Sequence, residues 1–269
     1  SVVLKKNLQK QFGDQRVFDI PTSENAMTGI AIGCAINRCP VVMTHQRLDF
    51  SLLSFDQIIN NAAKIFYMFN GQFTVPITLR LIVGKGWGQG PTHAQSLQSL
   101  FAHIPGLKVV MPSNPNDAKT ILIQSIKDPN PVIYIEHRWL HDQKGHVEKG
   151  FKSKKIGKAN LLMKGNDITI VANSFMTTEA LIAAKILKSN GIYADLIDLC
   201  SIKPLDETAI LKSVKKTGRL VVLDSGHDFL SIASEIISIV TTKQFNSLKI
   251  SPKKITMPNF PVPTGYSLT

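Results

Sequence analysis

Short apolar runs alternate along the chain with longer segments in which apolar residues recur at helical spacing. The apolar runs are typical of buried strands and lie at 41–43, 76–83, 107–112, 132–137, 167–173, 194–199, 219–225 and 254–257. The periodic segments predict helices at 26–36, 55–69, 93–103, 114–127, 177–189, 204–217 and in a last segment that ends at 240. Because strands that alternate with helices favour mostly parallel sheets covered on both faces, the sequence predicts an α/β fold with three-layer, parallel-sheet domains.

One stretch interrupts this alternation. Residues 141–158 have neither periodicity nor apolar density, which is typical of a linker. A chain of 269 residues also suggests two domains, since one domain takes roughly 150 residues. We therefore predict a first domain over 1–145, a linker over 146–158 and a second domain over 159–269.

The charge of the chain is basic and unevenly distributed. Lys plus Arg number 31 and Asp plus Glu number 19, so the net charge is 31 − 19 = +12. Residues 1–148 contribute 14 − 10 = +4, and residues 149–269 contribute 17 − 9 = +8. The lysines form short clusters, as in 152–155, without interleaved aromatic residues that could stack on bases, so we expect no nucleic-acid partner. Either a solvated lysine-rich surface or a docking face for an acidic partner explains the excess.

Other features indicate the cellular setting. No apolar run approaches the length of a transmembrane helix, so we expect no membrane contact. The first residues lack the apolar core of a signal peptide, which predicts a cytoplasmic protein. The three cysteines (Cys34, Cys39 and Cys200) form no C-x-x-C pair, and we interpret them as buried thiols.

A few residues stand where chemistry could occur. A glycine-rich loop, 84–90, follows a predicted strand, and His93 follows the loop directly. His93 either exchanges protons with a substrate or only starts a helix. Glu24 precedes a small-residue helix, where the local sequence favours a capping arrangement over a carboxylate that faces a ligand. His103 and Phe50 are, by local sequence alone, more typical of structural positions.

Longer segments change this interpretation. The series RVFDIPTSENAMTGIAIGCA, THAQSLQSLFAHIPGLKVVMPSNPNDAKT and DPNPVIYIE resembles the beta subunit of the decarboxylating component of 2-oxo acid dehydrogenase complexes. The later segments DITIVANSFMTTEAL, ADLIDLCSIKPLD and PNFPVPTGYSLT resemble the transketolase C-terminal domain that ends those subunits. The resemblance covers nearly the whole chain in order, and implies a transketolase-like pyrimidine-binding domain followed by that C-terminal domain.

The resemblance implies thiamine diphosphate as cofactor and assigns roles to four residues. Glu24 matches the family glutamate that bonds the aminopyrimidine ring nitrogen and favours the imino tautomer, which takes the proton from the thiazolium carbon. Phe50 matches the aromatic residue that packs against the pyrimidine ring. His93 matches the substrate-facing histidine of the family's H-S-Q motif, which here reads H-A-Q. His103 matches a second histidine near the mouth of the active site.

The segment MTHQRLDF departs from the aromatic-rich version common in pyruvate dehydrogenases. It places His45, Gln46 and Arg47 near the expected cofactor pocket, with Gln46 as a further cofactor contact. This suggests a substrate or acceptor with extra polarity or negative charge. Arg47 could equally lie at a subunit interface.

The resemblance also implies metals and partner chains. A structural K⁺ would be held mainly by backbone oxygens at the four matching positions, which are Ile77, Ser125, Asp128 and Asn130. The chain lacks the G-D-G motif that binds Mg²⁺ and pyrophosphate, so we expect an alpha subunit to carry that motif in an α2β2 assembly with a second beta subunit. Family members normally have several tens of residues before the position of Ser1, so we expect either a trimmed chain or a partner that supplies this region.

Three functions follow from these observations. The main hypothesis is an enzyme subunit that, with its alpha partner, oxidatively decarboxylates a 2-oxo acid and passes the acyl group to the lipoyl domain of an acyltransferase component. The alternative is a split transketolase-like enzyme that transfers a ketol unit or makes an acyloin without lipoamide. The third is a non-catalytic interaction subunit, which the presence of Glu24, Phe50 and His93 disfavours.

Overall fold

The computed structural model describes residues 2–268, with the side chains of 7–265, 267 and 268. Within that range the strands, numbered in chain order, are β1 (Val41–His45), β2 (Ile77–Val83), β3 (Lys108–Val110), β4 (Val132–His137), β5 (Asn160–Met163), β6 (Ile168–Ala172), β7 (Ala194–Asp198), β8 (Ser201–Lys203), β9 (Leu220–His227) and β10 (Lys253–Met257). The α-helices are α1 (Val2–Phe12), α2 (Glu24–Ile36), α3 (Ile65–Met68), α4 (Gln98–His103), α5 (Pro115–Lys127), α6 (Ser174–Ser189), α7 (Glu207–Thr217) and α8 (Ile232–Gln244).

The strands form two five-stranded sheets. The first has the order β1-β2-β4-β3-β8 and the second the order β10-β9-β6-β7-β5. Four neighbouring strands of each sheet run parallel, and the edge strands β8 and β5 are antiparallel. β2 and β4 are buried at nearly every position, as expected for a parallel sheet covered on both faces. The predicted α/β fold with two mainly parallel sheets is confirmed.

The two halves of the chain are joined by a shared sheet and by a shared apolar core. β8 lies in the second half of the sequence but pairs with β3 of the first sheet, with Val109 opposite Lys203. One continuous apolar core includes Phe101 and Val109 of the first half together with Leu199 and Ile202 of the second. The second half is therefore packed into the first, and the predicted domain limits stay a prediction.

Two predicted helices differ from the structure. The segment 55–69 is not one continuous α-helix. A π-helix at Gln57–Ala62 is followed by the short α3. The helix predicted at 93–103 begins only at Gln98. Residues 93–97 are irregular, and side chains of this stretch bond to both halves of the molecule. Tertiary hydrogen bonds have thus replaced the helical ones that periodicity favours.

A buried polar group fills the junction between the halves, and we name it the interdomain cluster (Asp117, Lys154, Asn160, Asp198 and Cys200). The Lys154 Nζ donates to Asn160 Oδ1 at 2.6 Å and to Asp117 at 3.2 Å. Asn160 also donates to Asp117 at 2.6 Å. Burial alone would raise the pKa of Asp117, but Lys154 and the hydrogen bonds outweigh it and lower that pKa. Lys154 thus belongs to the junction and is not part of a solvated surface.

The cysteines only partly match the prediction. Cys200 is buried in the interdomain cluster, where burial raises the pKa of its thiol well above the usual value. Cys34 and Cys39 are exposed, so their predicted burial is wrong. No helix within residues 2–268 is both long and apolar enough to cross a membrane.

Candidate active site

Glu24 begins α2 and lies in its first turn, where the helix dipole favours a negative charge. Ser23 holds the N-cap position and Glu24 the first turn, as the capping interpretation predicts, but the Ser23 side chain makes no capping hydrogen bond. Glu24 is half-buried, and none of the hydrogen bonds among the described side chains ends on its carboxylate. Its acceptor oxygens are available to a ligand.

His45 ends β1 and lies near Glu24. The residue is only 5% exposed, and its Nε2 is buried without a hydrogen-bond partner in the described part of the chain. Burial lowers the pKa of His45, and the Glu24 charge opposes that effect. The imidazole is therefore neutral near pH 7, with one ring nitrogen unsatisfied. Such a buried polar atom is costly unless a ligand or partner completes it.

Phe50 and His93 contact each other, and the segment that carries Phe50 packs against α2, the helix of Glu24. Phe50 lies in the short turn Leu48–Ser54 that follows β1, and its ring meets the His93 imidazole edge to face at 5.3 Å. The His93 Nδ1 lies 2.9 Å from the Thr92 hydroxyl. We name Glu24, His45, Phe50 and His93 the cofactor-facing cluster, after the role that the sequence resemblance predicts for this region.

Hydrogen bonds from the first half fix one side of the His93 segment, residues 93–98. The Gln95 side chain donates to Asp49 Oδ1 at 2.8 Å. Asp49 is buried one residue before Phe50. The backbones that carry Phe50 and His93 are therefore tied to each other.

The second half fixes the other side of the same segment. Gln98 Nε2 donates to Asp224 Oδ1 at 2.6 Å, and the Ser96 and Ser225 hydroxyls lie 2.8 Å apart. Asp224 is 1% exposed, burial raises its pKa, and it also accepts from the backbone N–H of Ile232 at 3.0 Å. Asp224 thus anchors the His93 segment from the far sheet.

Sequence reasoning missed Asp49 and Asp224. The available signal for Asp224 was its place at the carboxyl end of a predicted parallel strand, where functional groups of α/β proteins gather. No local pattern reveals its partner, because Gln98 lies 126 positions away.

The segment MTHQRLDF, residues 43–50, contacts the glycine-rich loop through Arg47. Arg47 Nε donates to the Gln89 side chain at 2.7 Å, and Arg47 also donates to the backbone oxygen of Gln46 at 2.7 Å. Burial, with the nearby Arg138, lowers the pKa of Arg47. The Gln46 residue is exposed. Two guanidinium groups therefore make this rim of the loop cationic.

The glycine loop is covered by the end of the chain. Gly90 has φ +67°, and a Cβ there would lie 2.5 Å from the Thr264 hydroxyl. A side chain at this position would be strained and would displace the final segment.

His103 is not brought into the cluster. It is exposed in the last turn of α4, and no hydrogen bond or ring contact joins it to His93 among the described residues. Its predicted role near the mouth of the site stays a prediction.

The four positions predicted for K⁺ lie around the turn before β4. Lys108 Nζ donates to both Asp128 oxygens, at 2.7 and 2.5 Å, so that carboxylate is already neutralised. Ser125 offers its backbone oxygen to Asp128 N–H at 3.2 Å, and Ile77 is buried at the start of β2. Asn130 Oδ1 is buried without a described partner. The available ligands are therefore an amide oxygen and carbonyl groups, which suit a hard cation.

Comparison with known proteins gives two family matches. The pyrimidine binding domain of transketolase matches residues 2–142, and the C-terminal domain of transketolase matches residues 157–268. A solved structure described as a split gene transketolase, an inactive beta4 tetramer, superposes with a TM-score of 0.81 over 100% of this chain and 82% of that chain. At 21% sequence identity, this likeness shows the fold alone.

Curated relatives are more similar in sequence. The acetoin:2,6-dichlorophenolindophenol oxidoreductase subunit beta of Cupriavidus necator is 42% identical over 98% of this chain and 78% of its own length. The pyruvate dehydrogenase E1 component subunit beta of Rickettsia bellii is 36% identical over 98% of this chain and 81% of its own length. The chain therefore belongs to the transketolase-like family of beta subunits that includes these oxidoreductase and pyruvate dehydrogenase subunits.

Proposed function

We propose that this chain is the beta subunit of a heteromeric, thiamine diphosphate-dependent enzyme that oxidatively decarboxylates a 2-oxo acid and passes the acyl group to lipoamide. The observation that carries the proposal is the buried His45 Nε2, which has no described partner and lies near the half-buried Glu24. The segment that carries Phe50, whose ring contacts His93, packs against the helix that Glu24 begins. Buried polar atoms without partners mark a place where a ligand completes the site.

The cofactor-facing cluster fits the pyrimidine half of thiamine diphosphate. The Glu24 carboxylate, in the first turn of α2, would accept the N–H of a ring nitrogen. Phe50 would pack against the ring, and His45 Nε2 would meet one of its polar edges. When bound, the cofactor supplies a thiazolium that accepts the electron pair released by decarboxylation.

We infer that His93 handles protons at the substrate. Its Nδ1 lies against the Thr92 hydroxyl, which leaves Nε2 for a substrate or acceptor group. The bonds from Asp49 and Asp224 to the His93 segment restrict where that imidazole can move. We also propose that His103 lies near the mouth of the active site and that Gln46 contacts the cofactor.

The other half of the cofactor site would come from a partner chain. An alpha subunit that carries G-D-G would hold Mg²⁺ and the pyrophosphate, in an α2β2 assembly with a second beta subunit. The unpartnered Asn130 amide, with backbone oxygens of Ile77, Ser125 and Asp128, would hold K⁺. A lipoyl acyltransferase component would accept the acyl group, and the cytoplasm would be the location.

Two relatives support a second candidate, cleavage of an acyloin. The relatives from Cupriavidus necator and Bacillus subtilis, 42% and 41% identical, are named for acetoin. Acetoin is a neutral hydroxyketone, whereas a 2-oxo acid carries a carboxylate. Arg47 separates the two possibilities, because a guanidinium at the rim would attract the acid and not the ketone.

The test is an assay of the chain co-purified with its alpha subunit, with thiamine diphosphate and Mg²⁺. Pyruvate, longer 2-oxo acids and acetoin are compared, with lipoamide or 2,6-dichlorophenolindophenol as acceptor. For a 2-oxo acid enzyme, Arg47→Met lowers kcat/KM for the acid by about tenfold, while Arg16→Met at an exposed site has no effect. If acetoin is turned over and Arg47→Met leaves its kcat/KM unchanged, the second candidate holds. Turnover of neither class would contradict both.

A further inference from the structure

A cleft of about 280 Å³ separates the two sheets on the far side of the His93 segment. Its walls include Lys85 and His137 from the first half and Phe175, Met176 and His227 from the second. This volume is at the lower end of the range for small-molecule sites. None of these five residues belongs to the cofactor-facing cluster.

The cleft lies at a point of the second sheet where α/β proteins commonly bind ligands. β6 continues through α6 to β7 on one side, whereas β9 continues through α8 to β10 on the other. Strand order therefore reverses between the neighbours β6 and β9, and their carboxyl ends open a crevice there. Phe175 and Met176 follow β6, and His227 ends β9, so the cleft occupies this reversal point.

Two hydrogen-bond donors face this space without a carboxylate partner. Lys85 Nζ contacts only the Met257 sulfur, at 2.8 Å, among the described residues. Burial, with His141 and Lys85, lowers the pKa of His137 to about 4, so its imidazole is neutral. The backbone N–H of Trp139 donates to His137 Nδ1 at 3.3 Å. The ring proton is therefore on Nε2, which acts as a donor.

The other residues that line the cleft indicate the shape and charge of the ligand that would fit there. Phe175 stacks on His137 with ring centroids 4.8 Å apart and planes at 13°, and Met176 adds an apolar wall. Glu179 also lines the cleft, but it is exposed, and no ion pair joins it to Lys85 among the described residues. Asp224 is already bonded to Gln98 and to backbone N–H groups. One ammonium and one neutral N–H match a single negative charge.

We propose that this interdomain cleft binds a small organic monocarboxylate with a flat apolar body, held by Lys85 and His137 and packed against Phe175 and Met176. The Ser96–Ser225 contact lines the cleft and holds the His93 segment.

Phenylacetate is the probe, and phenylacetamide is its neutral match of the same shape. Calorimetric titration of the purified full chain is expected to show saturable binding of phenylacetate and binding of phenylacetamide about tenfold weaker, which is the loss of a charge-assisted hydrogen bond. Lys85→Gln is expected to weaken phenylacetate binding by a similar factor and to leave phenylacetamide unchanged. Met176→Trp, which fills the cleft, is expected to abolish both.

Controls separate this site from others. Lys144→Gln removes an exposed lysine just before the predicted linker, and Glu24→Gln alters the cofactor-facing cluster; both are expected to bind phenylacetate normally. Equal affinity for the two probes, unchanged affinity in Lys85→Gln, or no saturable binding in the millimolar range would overturn the proposal. Because Glu24→Gln does not affect this titration, failure here is distinct from failure of the proposed enzyme function.

Discussion

The molecule contains two polar clusters that differ in how completely they are satisfied. In the interdomain cluster, Lys154, Asp117 and Asn160 bond to each other, and Asp198 accepts hydrogen bonds from Ser113 and Thr177. In the cofactor-facing cluster, by contrast, Glu24 accepts no described hydrogen bond, and His45 Nε2 is buried without a partner among the described residues. The first arrangement stabilises the junction of the two halves, and the second is complete only with a ligand.

The same comparison applies to a candidate metal site within the interdomain cluster. Asp117, Asp198 and Cys200 bring their ligand atoms within 4.8 Å of one another, which is close enough for a metal. However, the Lys154 ammonium already lies 3.2 Å from both Asp117 and Cys200 and supplies the positive charge. The residue types of a cluster therefore do not by themselves identify a binding site. Polar atoms without hydrogen-bond partners distinguish a binding site from a structural network.

The largest effect is expected at Glu24. Glu24→Gln in the assembled enzyme should lower kcat by about 10³-fold, on the order of 4 kcal/mol, because the amide cannot favour the reactive tautomer. The free energy of unfolding should change by less than about 0.5 kcal/mol, since the carboxylate has no described hydrogen bond. Steady-state assay and urea unfolding measure the two. Unchanged decarboxylation would contradict the assigned role.

Asp117 should show the opposite behaviour. Asp117→Ala leaves the Lys154 ammonium half-buried and unpaired, so the free energy of unfolding should fall by about 3–4 kcal/mol, while turnover per folded molecule stays near normal. Urea unfolding measures the loss, with the exposed Asp142→Asn as control. The double variant Asp117→Leu with Lys154→Met should recover part of it. A loss below 1 kcal/mol would show that the interdomain cluster does not stabilise the junction.

His137 predicts a dependence of stability on pH. Its folded-state pKa lies below its ordinary value of 6.5, at about 4, so the unfolded chain takes up the proton first as pH falls. Its contribution is therefore complete above pH 6.5 and lost towards pH 4, by about 3 kcal/mol. His137→Phe keeps the stacking on Phe175 and should lose less stability between pH 7 and pH 4.5. Parallel acid profiles for the two proteins would contradict this.

A smaller effect is expected at Asp224. The Asp224 carboxylate accepts hydrogen bonds from Gln98 and from backbone N–H groups. In Asp224→Asn, an amide N–H group would face one of these donors, and the lost hydrogen bond would loosen the His93 segment. We expect kcat to fall by about tenfold while the affinity for thiamine diphosphate is unchanged. Ser225→Ala, which removes the Ser96 contact and a long 3.4 Å hydrogen bond from Gln98 but keeps the Asp224 carboxylate, should have a weaker effect. Lower stability with unchanged kcat would show that Asp224 is only structural.

Periodicity predicted the central strands of both sheets, because burial on two faces leaves a continuous apolar signal in strands such as β2 and β4. The antiparallel edge strands β5 and β8 were missed; β8 has three residues and pairs with a strand far away in sequence. The resemblance named Glu24, Phe50 and His93, and the structure adds the contact between the last two. The unsatisfied His45 and the anchor Asp224 depend on tertiary packing, which no local pattern encodes.

The most direct test of the central claim is the rate of deuterium exchange at the thiazolium C2 of thiamine diphosphate bound to the assembled enzyme, followed by NMR after rapid quenching. The wild-type pair should exchange this proton rapidly. Glu24→Gln should bind the cofactor but exchange at least about 100-fold more slowly, because no carboxylate favours the tautomer that removes the proton. Equal exchange rates in the two proteins would contradict the account.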